Sequence, residues 1–431
     1  MYRPLQSVFS QGPFLKPFIL PGDEIVMMTK NDKLEHLYPV AGIKLSSVAA
    51  GIRYQGRKDL VIFELAEGSN TVGVFTRNRF CAAPVILSKK HISHSSPAYF
   101  IVNTGNANAG TGQQGLQDAL VCCEHLAMLG NVKVENVLPF STGVIGEKLP
   151  VEAIIKALPK ALENLSATQW AEAAEGIMTT DTRPKAVSVQ VEIEGEIVSI
   201  TGIAKGAGMI RPDMATMLAF IACDAKVDTA LLQEILNQTL NTSFNRITID
   251  GDTSTNDCCM LSATGKSGVV ISKQNKATYE IFYHAVETVC SQLARAIVMD
   301  GEGATKFITI DVRGGQCRED CLAIAYTVAH SPLVKTAFFA SDPNWGRILA
   351  AVGRAPVQDL DVAEIDIFLD EVQIVKSGGV DPQYAEADGS RVMQRDNITI
   401  QINLNAGEVA EQVWTTDLSN EYVNINADYR S

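Results

Sequence analysis

Residues 205–218 read Lys-Gly-Ala-Gly-Met-Ile-Arg-Pro-Asp-Met-Ala-Thr-Met-Leu, a glycine-rich approach that leads into an apolar run. The run from Met217 to Cys223 predicts a buried strand. A threonine hydroxyl is a weak nucleophile unless a base lies beside it, and a threonine that begins a chain can use its own α-amine as that base. Such chemistry at Thr216 requires cleavage of the Ala215–Thr216 bond. Without cleavage, the same segment is a glycine-rich turn that enters a core strand.

Outward from this stretch, short β-branched runs alternate with segments of helical periodicity. The predicted strands are residues 61–65, 98–102, 188–193, 307–312, 365–369 and 398–404. The predicted helices are residues 152–165, 168–178, 229–240 and 279–299, and Pro159 is expected to kink the first of them. No internal repeat is evident. The pattern predicts an α+β protein in which helices cover layered sheets.

Composition and charge narrow the class of protein. The chain has 431 residues, of which 46% are hydrophobic and 20% charged, and its formal net charge is −13. This length allows two or three domains. Because nucleic acids and anionic membranes need a basic surface, the acidic balance argues against both partners. No apolar run approaches the length of a membrane-spanning helix.

The cysteines and histidines form no grouping of metal-ligand type. Nine cysteines are scattered along the chain, and Cys317 and Cys321 lack partners that would complete a zinc set. An odd cysteine count predicts free thiols in a reducing compartment, which favours a cytoplasmic location. The sequence therefore predicts no metal.

Residues 1–37 differ from the rest of the chain. Residues 1–22 contain Arg3 and Lys16 but no acid, and four prolines interrupt any amphipathic helix. We interpret residues 1–37 as a disordered extension or as a misassigned start, with initiation at Met27 or Met28.

Two glycine-containing segments superficially suggest nucleotide binding. Gly265-Lys-Ser267 resembles the end of a phosphate-binding loop, but Met260 stands where that loop needs a glycine. Residues 103–115 lack the spacing of a dinucleotide-binding loop. Both are interpreted as turns.

Several ordered motifs resemble one family. They are Asn103-Thr-Gly-Asn-Ala-Asn-Ala-Gly110, Ser141-Thr-Gly-Val-Ile-Gly146, Met178-Thr-Thr-Asp-Thr182, Asp250-Gly-Asp-Thr-Ser-Thr-Asn-Asp257, Asp300-Gly-Glu-Gly-Ala-Thr-Lys306, Asp342-Pro-Asn-Trp-Gly-Arg347 and Asn426-Ala-Asp-Tyr-Arg-Ser431. Together with the 205–218 segment, they resemble the self-processing ornithine acetyltransferases, also called glutamate N-acetyltransferases, of arginine biosynthesis. The resemblance runs from about residue 38 to the C-terminus and implies a layered αββα-like sandwich.

The resemblance also implies roles for individual residues. Thr142 and Gly143 match the family's oxyanion-binding pair, which suits a tetrahedral intermediate of acetyl transfer. The matched substrate-contacting positions are Thr182, Lys205, Thr216, Glu302, Asn426 and Ser431. A lysine is a suitable partner for the carboxylate of an amino-acid substrate. Glu302 is expected at the ammonium or amide end of the substrate, and the C-terminal tail is expected to fold back over the site.

The implied activity is transfer of an acetyl group from N²-acetyl-L-ornithine to L-glutamate after cleavage between Ala215 and Thr216. Residues 38–215 and 216–431 would then be the two mature chains, expected as an α2β2 assembly. No cofactor is implied, although acetyl-coenzyme A is a further candidate donor. Two alternatives stay open: a related self-processing amidase or aminopeptidase with water as acceptor, and an unprocessed binding protein.

Overall fold

The computed structural model describes residues 24–26, 37–211 and 217–427. The predicted cleavage residues Ala215 and Thr216 and the predicted substrate contact Ser431 lie outside the described residues. Within the predicted N-terminal extension, residues 1–23 and 27–36 also lie outside the described residues. Residues 24–26 form an edge strand.

The described residues form eighteen strands and eleven helices. The strands are β1 (Glu24–Val26), β2 (Ile43–Val48), β3 (Leu60–Leu65), β4 (Asn70–Phe75), β5 (Tyr99–Asn106), β6 (Val137–Val144), β7 (Lys185–Ile193), β8 (Glu196–Lys205), β9 (Leu218–Cys223), β10 (Lys226–Val227), β11 (Cys258–Ala263), β12 (Val270–Ile271), β13 (Phe307–Gly315), β14 (Asp366–Leu369), β15 (Val372–Lys376), β16 (Gly379–Val380), β17 (Asn397–Asn403) and β18 (Val409–Thr416). The helices are α1 (Ala83–Ile92), α2 (Gly112–Gly130), α3 (Val151–Glu163), α4 (Trp170–Gly176), α5 (Thr229–Thr242), α6 (Lys276–Met299), α7 (Arg318–Ala329), α8 (Pro332–Phe339), α9 (Trp345–Gly353), α10 (Glu386–Met393) and α11 (Asn420–Ala427).

Two sheets pack face to face around an aromatic core. The first has the strand order β1-β7-β8-β9-β11-β4, and the second has the order β2-β3-β5-β6. Phe220 of the first sheet contacts Phe63 and Phe140 of the second, with ring centroids 5.0 and 5.1 Å apart. Offset and edge-on aromatic contacts of this kind add to the apolar burial that holds two sheets together. The protein therefore contains a β-sandwich.

Helices cover the outer faces of the sandwich. Helices α5 and α6 pack on the first sheet, and α2 and α3 pack on the second. Every residue of β9 is buried, since one face meets the other sheet and the opposite face meets the helices. The predicted α+β class and the αββα layering are confirmed.

A third sheet completes the second half of the chain. Its order is β16-β15-β14-β17-β13-β18, and with α7 to α10 it encloses a separate apolar core. After β18, Asp417 accepts hydrogen bonds from the backbone nitrogens of Thr305 and Lys306, at 2.9 and 3.0 Å. These bonds connect the segment just before α11 to the loop that follows α6.

The sequence-predicted elements are present. Residues 151–163 form one helix, α3, that contains Pro159. The Gly265-Lys-Ser267 segment forms a turn in which the Ser267 hydroxyl donates to the Asp224 carbonyl at 3.0 Å, as expected for a turn. In the described part of the chain, no helix is both long and apolar enough to cross a membrane.

Candidate active site

The predicted oxyanion pair lies at the end of β6, where its pairing with β5 becomes irregular. Thr142 is 8% exposed. Gly143 has a φ of 131°, and a Cβ at this position would lie 2.3 Å from the carbonyl carbon of Gly105. Any larger residue would therefore push the two strands apart. Irregular strand ends of this kind commonly occur beside active sites.

Lys205, the last residue of β8, connects the two sheets of the sandwich. Its ammonium nitrogen donates a hydrogen bond to Thr142 Oγ1 at 3.2 Å. Because Oγ1 accepts this bond, the Thr142 hydroxyl proton can be donated to another acceptor. Burial lowers the pKa of Lys205, and the carboxylates of Asp181, Asp257 and Glu302 oppose that shift. Lys205 therefore lies within a group of acidic side chains.

A second lysine joins two carboxylates beneath this site. The Lys185 ammonium contacts Asp181 Oδ1 at 2.6 Å and Asp300 Oδ2 at 2.5 Å, and all three side chains are almost fully buried. Asp181 also accepts a bond from the Gly206 nitrogen at 2.7 Å. Burial by itself would raise the pKa of Asp181, but Lys185 and Lys205 hold it well below its usual range. This network fixes the glycine-rich loop relative to the start of β7.

The predicted substrate contact Thr182 belongs to the same network. Its hydroxyl donates to Asp300 Oδ1, and its backbone nitrogen donates to Asp300 Oδ2 at 3.1 Å. Asp300 directly follows α6, so these bonds anchor the 178–182 segment to the end of that helix. Since its hydroxyl proton is already donated, Thr182 retains only acceptor capacity for a substrate.

Glu302 and Asn426 form the opposite side of the site. Asn426 Nδ2 donates to Glu302 Oε2 at 2.8 Å, which joins α11 to the loop after α6. Glu302 is 7% exposed, and its backbone nitrogen donates to the Ala207 carbonyl at 2.8 Å. A Cβ on Gly208 would lie 2.4 Å from Glu302 Oε2, so a side chain at Gly208 would displace the carboxylate. The glycine-rich loop thus packs directly on Glu302.

Strand β9 begins at Leu218, two residues after Thr216, and lies between β8 and β11. Leu218 pairs with Lys205 on β8 and with Cys258 on β11. The Met217 carbonyl accepts a hydrogen bond from the Cys258 nitrogen at 2.9 Å. The strand that continues from Thr216 therefore begins beside Lys205.

A pocket of about 230 Å³ opens next to Gly143. Its wall includes Arg53, Arg57, Thr179 and Ile425. Ile425 precedes Asn426 on α11, so the C-terminal helix borders both the pocket and the Glu302 side of the site. Among the described residues, no group of histidine, cysteine and acidic side chains is arranged to hold a metal ion.

Hydrogen bonds, ion pairs and charge interactions connect five sequence-predicted residues, Thr142, Thr182, Lys205, Glu302 and Asn426, in part through Asp181, Lys185 and Asp300. Gly143 directly follows Thr142 in β6. Lys185 was not identified from the sequence. Its signal there is that a lysine stands at the first position of an otherwise largely apolar strand. The separate roles of Asp181, Asp257 and Asp300 were also missed, although all three stand inside the motifs of the family resemblance. Only their positions in the fold show which charges they face.

The protein belongs to the class of layered α+β sandwiches that have a buried polar site between two sheets. Comparison with known sequences identifies the family within this class. The model of the ArgJ family matches residues 44–431. The chain therefore belongs to the ArgJ family, which confirms the resemblance and the predicted class of acyltransferase enzymes of arginine biosynthesis.

Relatives match across nearly their full length. The arginine biosynthesis bifunctional protein ArgJ of Pseudomonas fluorescens is 58% identical over 92% of this chain and 98% of its own. The proteins of the same name from Psychrobacter arcticus and Methylococcus capsulatus are 55% and 53% identical.

Two solved structures of the family are also similar. One is an argJ protein from Bacillus halodurans, with 36% identity and a TM-score of 0.47 over 49% of this chain and 99% of its own. The other is the ornithine acetyltransferase from Mycobacterium tuberculosis complexed with ornithine, with 33% identity and a TM-score of 0.39 over 41% of this chain and 94% of its own.

Proposed function

We propose that this protein is a glutamate N-acetyltransferase that moves an acetyl group from N²-acetyl-L-ornithine to L-glutamate through an acetyl-Thr216 intermediate. The observation that carries the proposal is the hydrogen bond between Lys205 and Thr142, formed beside the start of the strand that follows Thr216. It places a cation and a hydroxyl donor beside the strand that follows the candidate nucleophile in the sequence. Acyl transfer needs this combination of groups.

The first step in the proposal is cleavage of the chain itself. Thr216 Oγ attacks the Ala215 carbonyl carbon, and the resulting ester is opened by water. The products are residues 1–215 and 216–431. The new α-amine of Thr216 then serves as the general base for its own hydroxyl.

Acetyl transfer then follows in two halves. Thr216 attacks acetylornithine, and Thr142 and Gly143 stabilise the oxyanion before ornithine leaves. Glutamate enters the same site and takes the acetyl group. Lys205 pairs with the α-carboxylate shared by both amino acids. Glu302, held by Asn426, faces the amino or amide end, and Thr182 accepts a hydrogen bond from the substrate. Ser431 completes the contacts from the C-terminal tail.

Mass spectrometry of the denatured protein tests this proposal. Two fragments that divide at Ala215–Thr216, with acetyl appearing on the 216–431 fragment after incubation with acetylornithine, support it. Subsequent addition of glutamate should remove the acetyl group and yield acetylglutamate. Loss of the acetyl group to water alone would indicate the amidase instead, and an uncleaved chain without acetyl would indicate a binding protein.

Replacing Thr142 with valine should lower kcat for acetyl transfer by about 10²–10³-fold, because one oxyanion donor is lost while side-chain volume is kept. Steady-state assays with acetylornithine and glutamate measure this effect. Thr239→Val is the matched control, since Thr239 is also buried but donates to the Ile235 carbonyl within α5. Equal kcat values for Thr142→Val and the parent enzyme would contradict the oxyanion role.

Deleting residues 426–431 should raise acetylornithine hydrolysis relative to transfer, or abolish activity. The deletion removes the Asn426 amide from Glu302 and opens the site to water. The ratio of free acetate to acetylglutamate is the measurement. The exposed side chain of Asn424 donates a hydrogen bond to Glu421 on the same helix, so Asn424→Ala should leave the ratio unchanged. An unchanged ratio in the deletion would refute a closing role for the tail.

The finer features of the assembly belong to the same proposal. We propose an α2β2 complex of the two fragments in the cytoplasm, without a cofactor. Acetyl-coenzyme A is a further acetyl donor to be tested. An assay of glutamate acetylation with this donor alone, in the parent enzyme and in Thr216→Ala, decides whether it reaches the same threonine.

A further inference from the structure

The pocket beside Gly143 extends from the oxyanion pair to a loop that has no role in the acetyl-transfer steps above. Gly143 lines the pocket from β6, and Ile425 lines it from α11. The segment 178–180, which leads to Thr182, forms a further part of the wall. Another part is the loop 50–59 between β2 and β3, which contributes two arginines. The volume of about 230 Å³ is below that of pockets for drug-sized ligands, about 300–1,000 Å³, and suits a molecule as small as an amino acid.

The loop 50–59 is held in one conformation by Asp59. This residue is 3% exposed, and its two carboxylate oxygens accept hydrogen bonds from the backbone nitrogens of Ala50 and Ile52, both at 2.6 Å. Its own nitrogen donates to the Val48 carbonyl at 3.0 Å, and its carbonyl accepts from the Thr104 nitrogen at 2.9 Å. These bonds connect the loop to β2 and β5. The loop arginines are therefore positioned before a ligand binds, which lowers the entropic cost of binding.

The two arginines of the pocket differ in their partners. Arg53 is paired with a carboxylate, since its Nη1 lies 3.1 Å from Glu147 Oε2. Arg57 Nη2 donates to the backbone carbonyls of Met178 and Thr179, at 2.7 and 3.2 Å. These acceptors are neutral, and within the described ranges Arg57 forms no ion pair. Because a guanidinium has five N–H donors in a fixed plane, Nε and Nη1 of Arg57 remain available for a carboxylate, which this group binds through two parallel hydrogen bonds.

The two amino acids of the proposed reaction differ in the charge of their side chains. Ornithine ends in an ammonium group and glutamate in a carboxylate, whereas their α-carboxylates are identical. Glu302 is a buried carboxylate, which suits an ammonium group and repels a second carboxylate. Lys205 is already assigned to the α-carboxylate. The side chain of glutamate therefore needs a cation in another part of the site.

We propose that Arg57 binds the side-chain carboxylate of glutamate in the pocket beside Gly143 and so selects the acetyl acceptor. This inference rests on the proposed function and adds a specificity-determining residue to it. The ammonium end of ornithine lies on the Glu302 side, and the carboxylate end of glutamate lies on the Arg57 side. One site thus accepts two side chains of opposite charge, because each is directed toward a different wall.

The parent enzyme provides a first test that needs no variant. Glutamine has the shape of glutamate without its side-chain charge. We expect kcat/KM for acetyl transfer to glutamate to exceed that for glutamine by about 10–10²-fold, the usual effect of a hydrogen-bonded charge. Steady-state assays with acetylornithine as donor and either amino acid as acceptor measure this ratio. Equal values for the two acceptors would overturn the proposal.

Arg57→Gln assigns the preference to this residue. Glutamine at position 57 keeps an amide donor for the Met178 carbonyl but has no charge. We expect kcat/KM for glutamate to fall about 10–10²-fold, with little change for glutamine as acceptor. The rate of ornithine release in the first turnover, which reports reaction with acetylornithine, should stay parental. Arg57→Lys keeps the charge without the paired donors, so its preference for glutamate should lie between those of the parent and Arg57→Gln.

A purely structural role for Arg57 gives a different result. If Arg57 only positions the 178–182 segment, Arg57→Gln lowers transfer to both acceptors and ornithine release together, and this pattern overturns the proposal. Arg354→Gln is the matched control, because Arg354 is an exposed arginine whose Nη2 donates to the Thr327 carbonyl at 3.0 Å. It should keep the parental ratio of the two acceptors.

The failure of this inference and the failure of the proposed function are distinguishable. A parent enzyme that transfers acetyl to neither amino acid contradicts the proposed function, and the role of Arg57 fails with it. A parent enzyme that prefers glutamate, together with an Arg57→Gln variant of unchanged preference, contradicts the role of Arg57 alone.

Discussion

Thr216→Ala should yield a single uncleaved chain with no measurable acetyl transfer. The substitution removes the only atom that the proposal uses as nucleophile in both reactions, because Thr216 Oγ attacks first the Ala215 carbonyl and later the acetyl donor. Without cleavage, no α-amine is released to act as base. Mass spectrometry of the intact chain and assays of acetylglutamate formation measure the two losses separately.

Two further variants, Thr216→Ser and Thr229→Ala, serve as a conservative replacement and as a control for this experiment. Serine keeps a hydroxyl, so Thr216→Ser should retain part of the cleavage and part of the transfer. Thr229 is an exposed residue at the start of α5, and Thr229→Ala should behave as the parent chain does. Normal cleavage in Thr216→Ala would rule out Thr216 as the nucleophile, whatever the activity of the other variants.

Lys185→Met should lower the free energy of unfolding by about 3–5 kcal/mol, the usual effect of removing one partner from a buried ion pair. The Lys185 side chain is 1% exposed and contacts Asp181 and Asp300. Methionine fills a similar volume but removes the ammonium that the two buried carboxylates share. Urea unfolding at neutral pH, followed by tryptophan fluorescence and circular dichroism, measures the loss.

The pH dependence of this loss has a defined sign. Lys185 and Lys205 lower the pKa of Asp181, so the stabilisation is fully present above the unfolded value of about 3.9 and is lost as the pH falls below it. The difference between parent and Lys185→Met should therefore shrink in acid. A difference that stays constant down to acid unfolding would refute the ionic origin of the loss.

Lys44→Met is the control for lysine removal. The Lys44 side chain is 55% exposed, and its ammonium lies 2.8 Å from Glu64 Oε2. Exposed pairs contribute about 0–1 kcal/mol, since water solvates both charges when they separate. A comparable loss in Lys44→Met and Lys185→Met would show that burial of the Lys185 network does not determine its energetic effect.

Candidate site residues could be chosen from the sequence on two grounds. Local chemistry, a glycine-rich approach followed by an apolar run, makes Thr216 a candidate nucleophile, and the family resemblance makes Gly143 a candidate oxyanion donor. The strand Leu218–Cys223 could be predicted because all of its residues are apolar. The αββα arrangement itself came from the family resemblance, since periodicity cannot show which sheets face each other.

The sequence by itself thus determined the class of fold, the candidate nucleophile and the motifs that contain the site. Only the tertiary structure decided that Lys205 donates to Thr142, that Lys185 joins Asp181 to Asp300, and that Arg57 lines the pocket beside Gly143. Lys205 and Thr142 are 63 positions apart, and Lys185 and Asp300 are 115 apart. The physical reason is that charge pairing and desolvation depend on distance in space. Strand order and sheet packing fix those distances, and no local pattern in the chain records them.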